Sequence, residues 1–452
     1  MYPVASLSLI LQEHPHLEKD GFVLLDAWPI GPAMLYVFDP EMSSQFTQVR
    51  ALSKADIVGS QLYPLTEAKD IATLDGAEWK FWRTVFNPGF SAKNLTTMVP
   101  GFLEEIKVFV DTLRQAAKSG EVLRIETAAT NLALDVIGRT ILDKRLYTQT
   151  KSNNPLQWAL NKQASWVIPS YAPHDLVKLL NPFRPLLLWN YRRVLRNYLL
   201  PDIHQNIAAQ AAGNVNDART KTIVALASKA YLAEKPQSSK PPAPTAIADK
   251  TFIDMVIPQL AIFFFAGYET TAASICFVYH LLSTHPDTLA ALRAEHDAVF
   301  GPDSHSAEAK IIANPQLLNA LPYTAAIIKE SLRIFPPGAT FRQGRPDFFL
   351  SHPSTGRRYP TDGFIVHQNT ATHRLESVFP QPHRFLPERF LVAEGEPLHP
   401  RNAYRPFELG ARIELAQLEM RMVLVLTARE FEIESVGEEM GLPEMFRREK
   451  GA

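Results

Sequence analysis

Along most of the chain apolar residues return every three or four positions, with charged and polar residues on the opposite side. That period predicts amphipathic helices. It is clearest at 101–120 ("GFLEEIKVFVDTLRQAAKSG"), 131–145 ("NLALDVIGRTILDKR"), 185–213, 252–282, 286–300 and 321–334. Strand-like patterns are scarcer: "GFVLLDAW" and "AMLYVFD" near the start, then "FIVHQNTA" after the "TDG" turn at 361–363. The pattern predicts a mainly α fold with a small β-sheet. The Pro-, Ser- and Ala-rich stretch at 234–249 predicts an exposed connector. No repeat or composition shift divides the rest, so residues 1–452 read as one domain.

The longest helical pattern, about Phe252 to Leu282, carries "AGYETT" at its centre. Glycine in mid-helix costs up to about 1 kcal/mol against alanine, and a carboxylate among apolar residues needs a partner or a raised pKa. Gly267, Glu269 and Thr270 therefore place two local penalties at one point, which is how a functional site reads. The alternative is a helix crossing at Gly267, with Glu269 at the surface.

Three further groups attract attention. Glu330 and Arg333 in "KESLRIFPPG" lie on one face of a helix that the double proline stops. An E-x-x-R match is common by composition. Arg389, in the Pro-rich "VFPQPHRFLPERF", is a second arginine that could join them. Trp79 and Arg83 in "DGAEWKFWRTVFNPGFS" stand four apart, and an indole N–H beside a guanidinium makes a pair of donors for a carboxylate. A core tryptophan with a surface arginine would have the same spacing.

Composition narrows the partners. Forty-six basic residues against forty-seven acidic leave a formal charge of -1, with no basic face suited to nucleic acid. Small molecules or proteins remain, and 452 residues at 46% hydrophobic can fold as a monomer. The single cysteine, Cys276, excludes an intramolecular disulfide and any multi-cysteine metal site. The first apolar run, Val4 to Leu11, is too short to span a bilayer, so no N-terminal anchor is expected.

Taken in order, "EWKFWR", "AGYETT", "ESLR", "PERF" and "FELGAR" resemble the motif series of the cytochrome P-450 monooxygenases over about residues 20–435. The wording is most similar to members from filamentous fungi that oxidise secondary metabolites. The resemblance implies haem, its iron, dioxygen, an NADPH-dependent reductase and a small apolar substrate. It implies that Glu269 and Thr270 relay protons, and that Trp79, Arg83 and Arg412, with Arg342 a looser candidate, hold the haem propionates. Phe407 and Gly410 would shape the ligand loop, and Glu330, Arg333 and Arg389 would lock the proximal scaffold. Family members typically sit on the cytosolic face of the endoplasmic reticulum membrane; without an anchor this chain is expected to be soluble or peripheral.

The ligand loop departs from the family. Its pattern, F-x-x-G-x-R-x-C-x-G followed in similar members by x-E-L-A-x-x-E, matches Phe407, Gly410 and Arg412, then Glu414, Leu415, Ala416 and Glu419. Only Ile413 stands where the family has five residues, so four are absent and the thiolate with them. No metal ligand is assigned. Cys276 lies seven residues beyond Glu269, about 10 Å along the same helix, and reads as a small hydrophobe. The expectation is a monooxygenase impaired as it stands, with haem binding weakened. The alternative is a catalytically dead binding or scaffold protein on the same fold, or a truncated gene model.

Overall fold

A computed structural model describes residues 7, 10–11, 13–28, 31–167, 173–212, 221–234, 249–368, 370–391, 399–400, 402–409 and 413–434. Its helices of ten residues or more are α1 (Asp56–Thr66), α2 (Gly76–Phe86), α3 (Ala92–Ser119), α4 (Ile125–Leu142), α5 (Pro155–Ala164), α6 (Arg184–Ala211), α7 (Ile223–Glu234), α8 (Lys250–Thr284), α9 (Pro286–Phe300), α10 (Pro322–Ile334) and α11 (Ile413–Thr427). The chain is mainly α, as the periodicity predicts.

Capping explains where the boundaries moved. α3 starts well before residue 101 because the Ser91 side chain accepts a hydrogen bond from Asn94 N at its first turn. Pro100 inside the helix hides that continuity from the pattern. α4 stops at Leu142 because Asp143 turns left-handed at φ 54, short of the predicted 145. Asp249 caps α8 by accepting from Phe252 N at 2.8 Å, and it also accepts from the Tyr231 hydroxyl of α7 at 3.1 Å. The predicted connector at 234–249 therefore has ends that are tied together; residues 235–248 lie outside the described ones.

The sheet joins sequence-distant strands. β1 (Phe22–Leu25) and β2 (Met34–Val37) form a hairpin, β6 (Ile365–Gln368) pairs parallel to β2, and β3 (Thr340–Gln343) pairs antiparallel to β6. Arg342 stands opposite Val366. A separate two-stranded sheet joins β4 (Phe349–Ser351) and β5 (Arg358–Pro360), and β7 (Pro406–Leu409) precedes α11.

The main core lies between α3, α4, α8, α10 and α11. α8 is the one described helix long and apolar enough to cross a membrane by length and composition, and most of it is buried inside the fold. It crosses α4 at Gly267, where an added Cβ would come 2.8 Å from Ile137 Cγ1. Gly267 is therefore explained by close helix packing, the bland reading of that residue.

Candidate active site

The best-defined feature is a cluster of cations around Trp79. One turn of α2 puts Trp79 and Arg83 on the same face. Trp79 is no core tryptophan: it is 37% exposed. Opposite it, Arg342 projects from β3, where its Nη1 donates to Leu52 O at 3.2 Å. Between the two stands Lys54, which pairs with Arg342 through an isolated β-bridge. Its Nζ lies 5.6 Å from the Trp79 ring centroid.

Electrostatics places these groups together. Burial lowers the Lys54 amine to about 8, Arg342 and Arg83 push it the same way, and Asp75 and Asp70 oppose them. Burial also lowers Arg83. Three cations near an indole ring carry charge and donors suited to an anion such as a carboxylate. Sequence reasoning missed Lys54, because "LSKADIV" carries no motif and only the tertiary bridge to Arg342 brings it in. Arg412 and Gly410, which the resemblance adds to this set, lie outside the described residues. Phe407 is part of β7 and packs on the main core. The chain passes so close there that a Cβ on Gly338 would meet Pro406 O at 3.3 Å and Phe407 Cα at 3.5 Å.

The second element is the middle of α8. Thr270 Oγ1 donates to Ala266 O at 2.8 Å, and Ser274 Oγ donates to Thr270 O at 2.8 Å. Ala266, Thr270, Ala273 and Phe277, spaced by about one turn, are only part-buried, whereas Phe264, Thr271, Ser274, Ile275 and Val278 are buried. One stripe of this core helix is thus left uncovered by protein. Glu269 belongs to the stripe. Its side chain is exposed, which differs from the buried carboxylate expected from its apolar neighbours. Burial and then the nearby Glu126 raise its carboxyl, but water reaching the side chain screens that push.

The third element is the expected charge cluster, fully formed. Arg333 donates from Nε to Glu330 Oε2 at 2.8 Å and from Nη2 to Oε1 at 2.9 Å. Arg389 Nε donates to the same Oε1 at 3.0 Å, and so does Leu386 N. Arg333 Nη1 reaches His373 O at 2.6 Å, so the pair also fastens the loop after β6. Glu330 and Arg333 are fully buried.

The Cytochrome P450 family model matches residues 14–449. The chain belongs to the cytochrome P450 family. Among curated relatives, cytochrome P450 monooxygenase polC of Polytolypa hystricis is 36% identical over 448 residues, spanning 98% of this chain and 78% of that protein. Cytochrome P450 monooxygenase acrF of Aspergillus aculeatus is 30% identical over 459 residues, 96% of this chain and 88% of that one. A crystal structure of a cytochrome P450 (CYP102L1) superposes with a TM-score of 0.72 at 20% identity, covering 96% of this chain and 88% of the other, and shares the fold. The family and these relatives make the chain a haem-dependent monooxygenase, an oxidoreductase of the fungal secondary-metabolism type. P450 enzymes generally draw electrons from a reductase, act on apolar substrates and are typically associated with the endoplasmic reticulum membrane.

The P450 cofactor can be tested against the residues present. Trp79, Arg83, Arg342 and Lys54 have the chemistry, an indole and three cations, that would hold its propionates. Its iron finds no thiol. The single cysteine, Cys276, is half-buried on α8 among core side chains, and burial pushes its thiol up to about 12, away from the thiolate form. Among the described residues no three His, Cys, Asp or Glu side chains converge to hold a metal.

Proposed function

We propose that this P450 is a monooxygenase of an apolar secondary metabolite whose turnover is impaired in the chain as it stands, while its cofactor's acid edge keeps a binding site. The observation that carries the reading is the contrast between the two edges of the site. Three cations, Arg83, Arg342 and Lys54, near the Trp79 indole support an anion site, whereas the sole cysteine stands on α8 with burial raising its thiol away from the thiolate form. Bound haem supplies oxygen activation in this family, and it needs electron density from a thiolate ligand. Relative to the family loop, four residues including that ligand are absent between Arg412 and Glu414.

The chain's own residues retain the remaining roles. The Thr270 hydroxyl, donating to Ala266 O, can accept a proton-carrying partner on its oxygen while Glu269 nearby exchanges protons with solvent. Glu330, Arg333 and Arg389 hold the Pro-rich segment beneath the site in place. The unit acts as one P450-like domain, monomeric, with an NADPH-dependent reductase and no nucleic acid as partner. Exposed Leu179, Leu180, Phe183 and Leu186 support peripheral contact with a membrane.

The experiment is to express the chain with haem supplied and to record its ferrous CO spectrum, with product formation in the presence of NADPH and reductase. Haem uptake without a thiolate signature and without product is the expected result. Reductase-dependent product would overturn it, because another residue would then supply the push.

A further inference from the structure

We propose that residues 67–75 form a strap closed across one end of the uncovered stripe of α8, and that Gln259 and Arg192 are the clasps whose release admits an apolar ligand to that stripe. The apolar ligand rests on the function proposed above; the strap rests on its own contacts. Gln259 stands seven residues before Ala266, on the same face of α8 as Ala266, Thr270 and Phe277 and about 10 Å nearer the N-terminus. Farther along, that face is left open; at Gln259 it is shut, with the side chain fully buried. The carboxamide grips the strap on both sides of Asp70: Ile71 N donates to Oε1 at 2.8 Å, and Nε2 donates to Lys69 O at 3.0 Å.

The second clasp comes from α6. Arg192 donates from Nη2 to Tyr63 O at 2.7 Å and from Nε to Pro64 O at 3.3 Å, both carbonyls of the last turn of α1, and from Nη1 to Glu67 Oε1 at 2.8 Å. A cation at that end of a helix also suits its dipole. Between the two clasps the backbone is strained: Glu67 and Ala68 follow one another at φ 56 and 57, left-handed at residues that carry a Cβ. The strap keeps its own shape, because Asp70 accepts from Thr66 Oγ1, Thr73 Oγ1 and Ala72 N. Its apolar members Ile71, Ala72 and Leu74 are only partly buried against the core. Lys54 Nζ, bonded to Ile71 O and Leu74 O, anchors the end that runs into α2. A unit of fixed internal shape is thus anchored at one end and fastened at the other by polar bonds that water can replace, which is how a segment that opens locally is built.

The rival account is that both residues only brace the fold. Stopped-flow fluorescence of Nile red, a neutral apolar dye, mixed with the full chain separates the two when it is paired with amide hydrogen exchange. The clasps control opening rather than affinity, so Gln259→Leu and Arg192→Gln should each speed dye entry and exit together by about three- to tenfold, the range of one or two hydrogen bonds, with the equilibrium affinity nearly level. Amide exchange at 67–72 should quicken by a similar factor while α4 and the middle of α8 keep the wild-type rate. Arg192, at the solvent edge, carries the test if Gln259→Leu folds poorly. Faster exchange with unchanged dye rates would mean braces alone, and faster exchange throughout the core would mean general loosening; either overturns the proposal. Unchanged exchange at 67–72 would remove the clasps. A chain that takes up no dye in any of these forms would overturn the apolar-ligand reading, and the strap as its entrance with it, whatever the exchange shows.

Discussion

Arg389 and Glu330, 59 positions apart, meet at 3.0 Å on a carboxylate that Arg333 already grips with two nitrogens. One buried anion therefore joins α10 to the Pro-rich segment around residue 387. Removing Arg333 would leave Glu330 buried with only part of its neutralising charge, and would release the loop that His373 O fastens. Arg333→Ala should cost about 3–5 kcal/mol and give little soluble protein. Soluble yield and melting temperature check it; wild-type values for both would contradict the role.

Glu419 gives a pH prediction with a definite sign. It is buried in α11, and burial alone pushes its carboxyl up to about 8. Its Oε1 has no hydrogen-bond partner. The folded state therefore holds its proton where the unfolded chain has released it, so stability falls as pH rises from about 4.5 to 8. Glu419→Gln should be close to wild type at pH 5 and more stable at pH 8, by on the order of a few kcal/mol. Denaturant midpoints at the two pH values decide it, and a gain that is the same at both would refute the burial argument.

The helix crossing yields a third expectation. A Cβ at position 267 would meet Ile137 Cγ1 at 2.8 Å and Cδ1 at 3.0 Å, inside a packed core. Gly267→Ala should destabilise by about 1–3 kcal/mol despite its better helix propensity. Gly267→Ala combined with Ile137→Val should recover part of that loss, because the clash is with the side chain. Calorimetry of the two variants tests this; no recovery would place the strain elsewhere.

These residues show what the sequence could and could not convey. Helix existence was legible because burial imposes a 3.6-residue period, and the N-terminal strands were legible from alternation and turns. The E-x-x-R pair is common by composition and Arg389 is a residue that could join it; the structure brings the three together. Glu269 read as buried because its sequence neighbours are apolar; it instead stands on the one uncovered stripe of α8, which depends on what packs opposite. Lys54 had no local signature, since its chemistry arises from a bridge to a strand almost three hundred residues away. The ligand loop was legible only as a departure from the family, and Gly410 and Arg412 lie outside the described residues.

Restoring the loop is the strongest test of the monooxygenase reading. Four residues would be inserted after Arg412 so that a cysteine stands two places beyond it and a glycine two places beyond the cysteine. Both flanks are suited to receive them. β7 closes against Gly338, and α11 begins at Ile413 with Leu415, Ala416, Met420 and Val423 buried in the core. The N-terminal N–H groups of that helix would favour a thiolate at the new position. The repaired chain should bind haem with a thiolate signature in its ferrous CO spectrum and regain reductase-dependent oxidation. In that background Thr270→Ala, which removes the hydroxyl now bonded to Ala266 O, should keep the signature and lower product formation by about 100-fold while NADPH is still consumed. A repaired chain that folds and takes up haem without the thiolate signature would show that the rest of the pocket beneath the iron has also diverged, and would sink the reading of an otherwise intact P450 site.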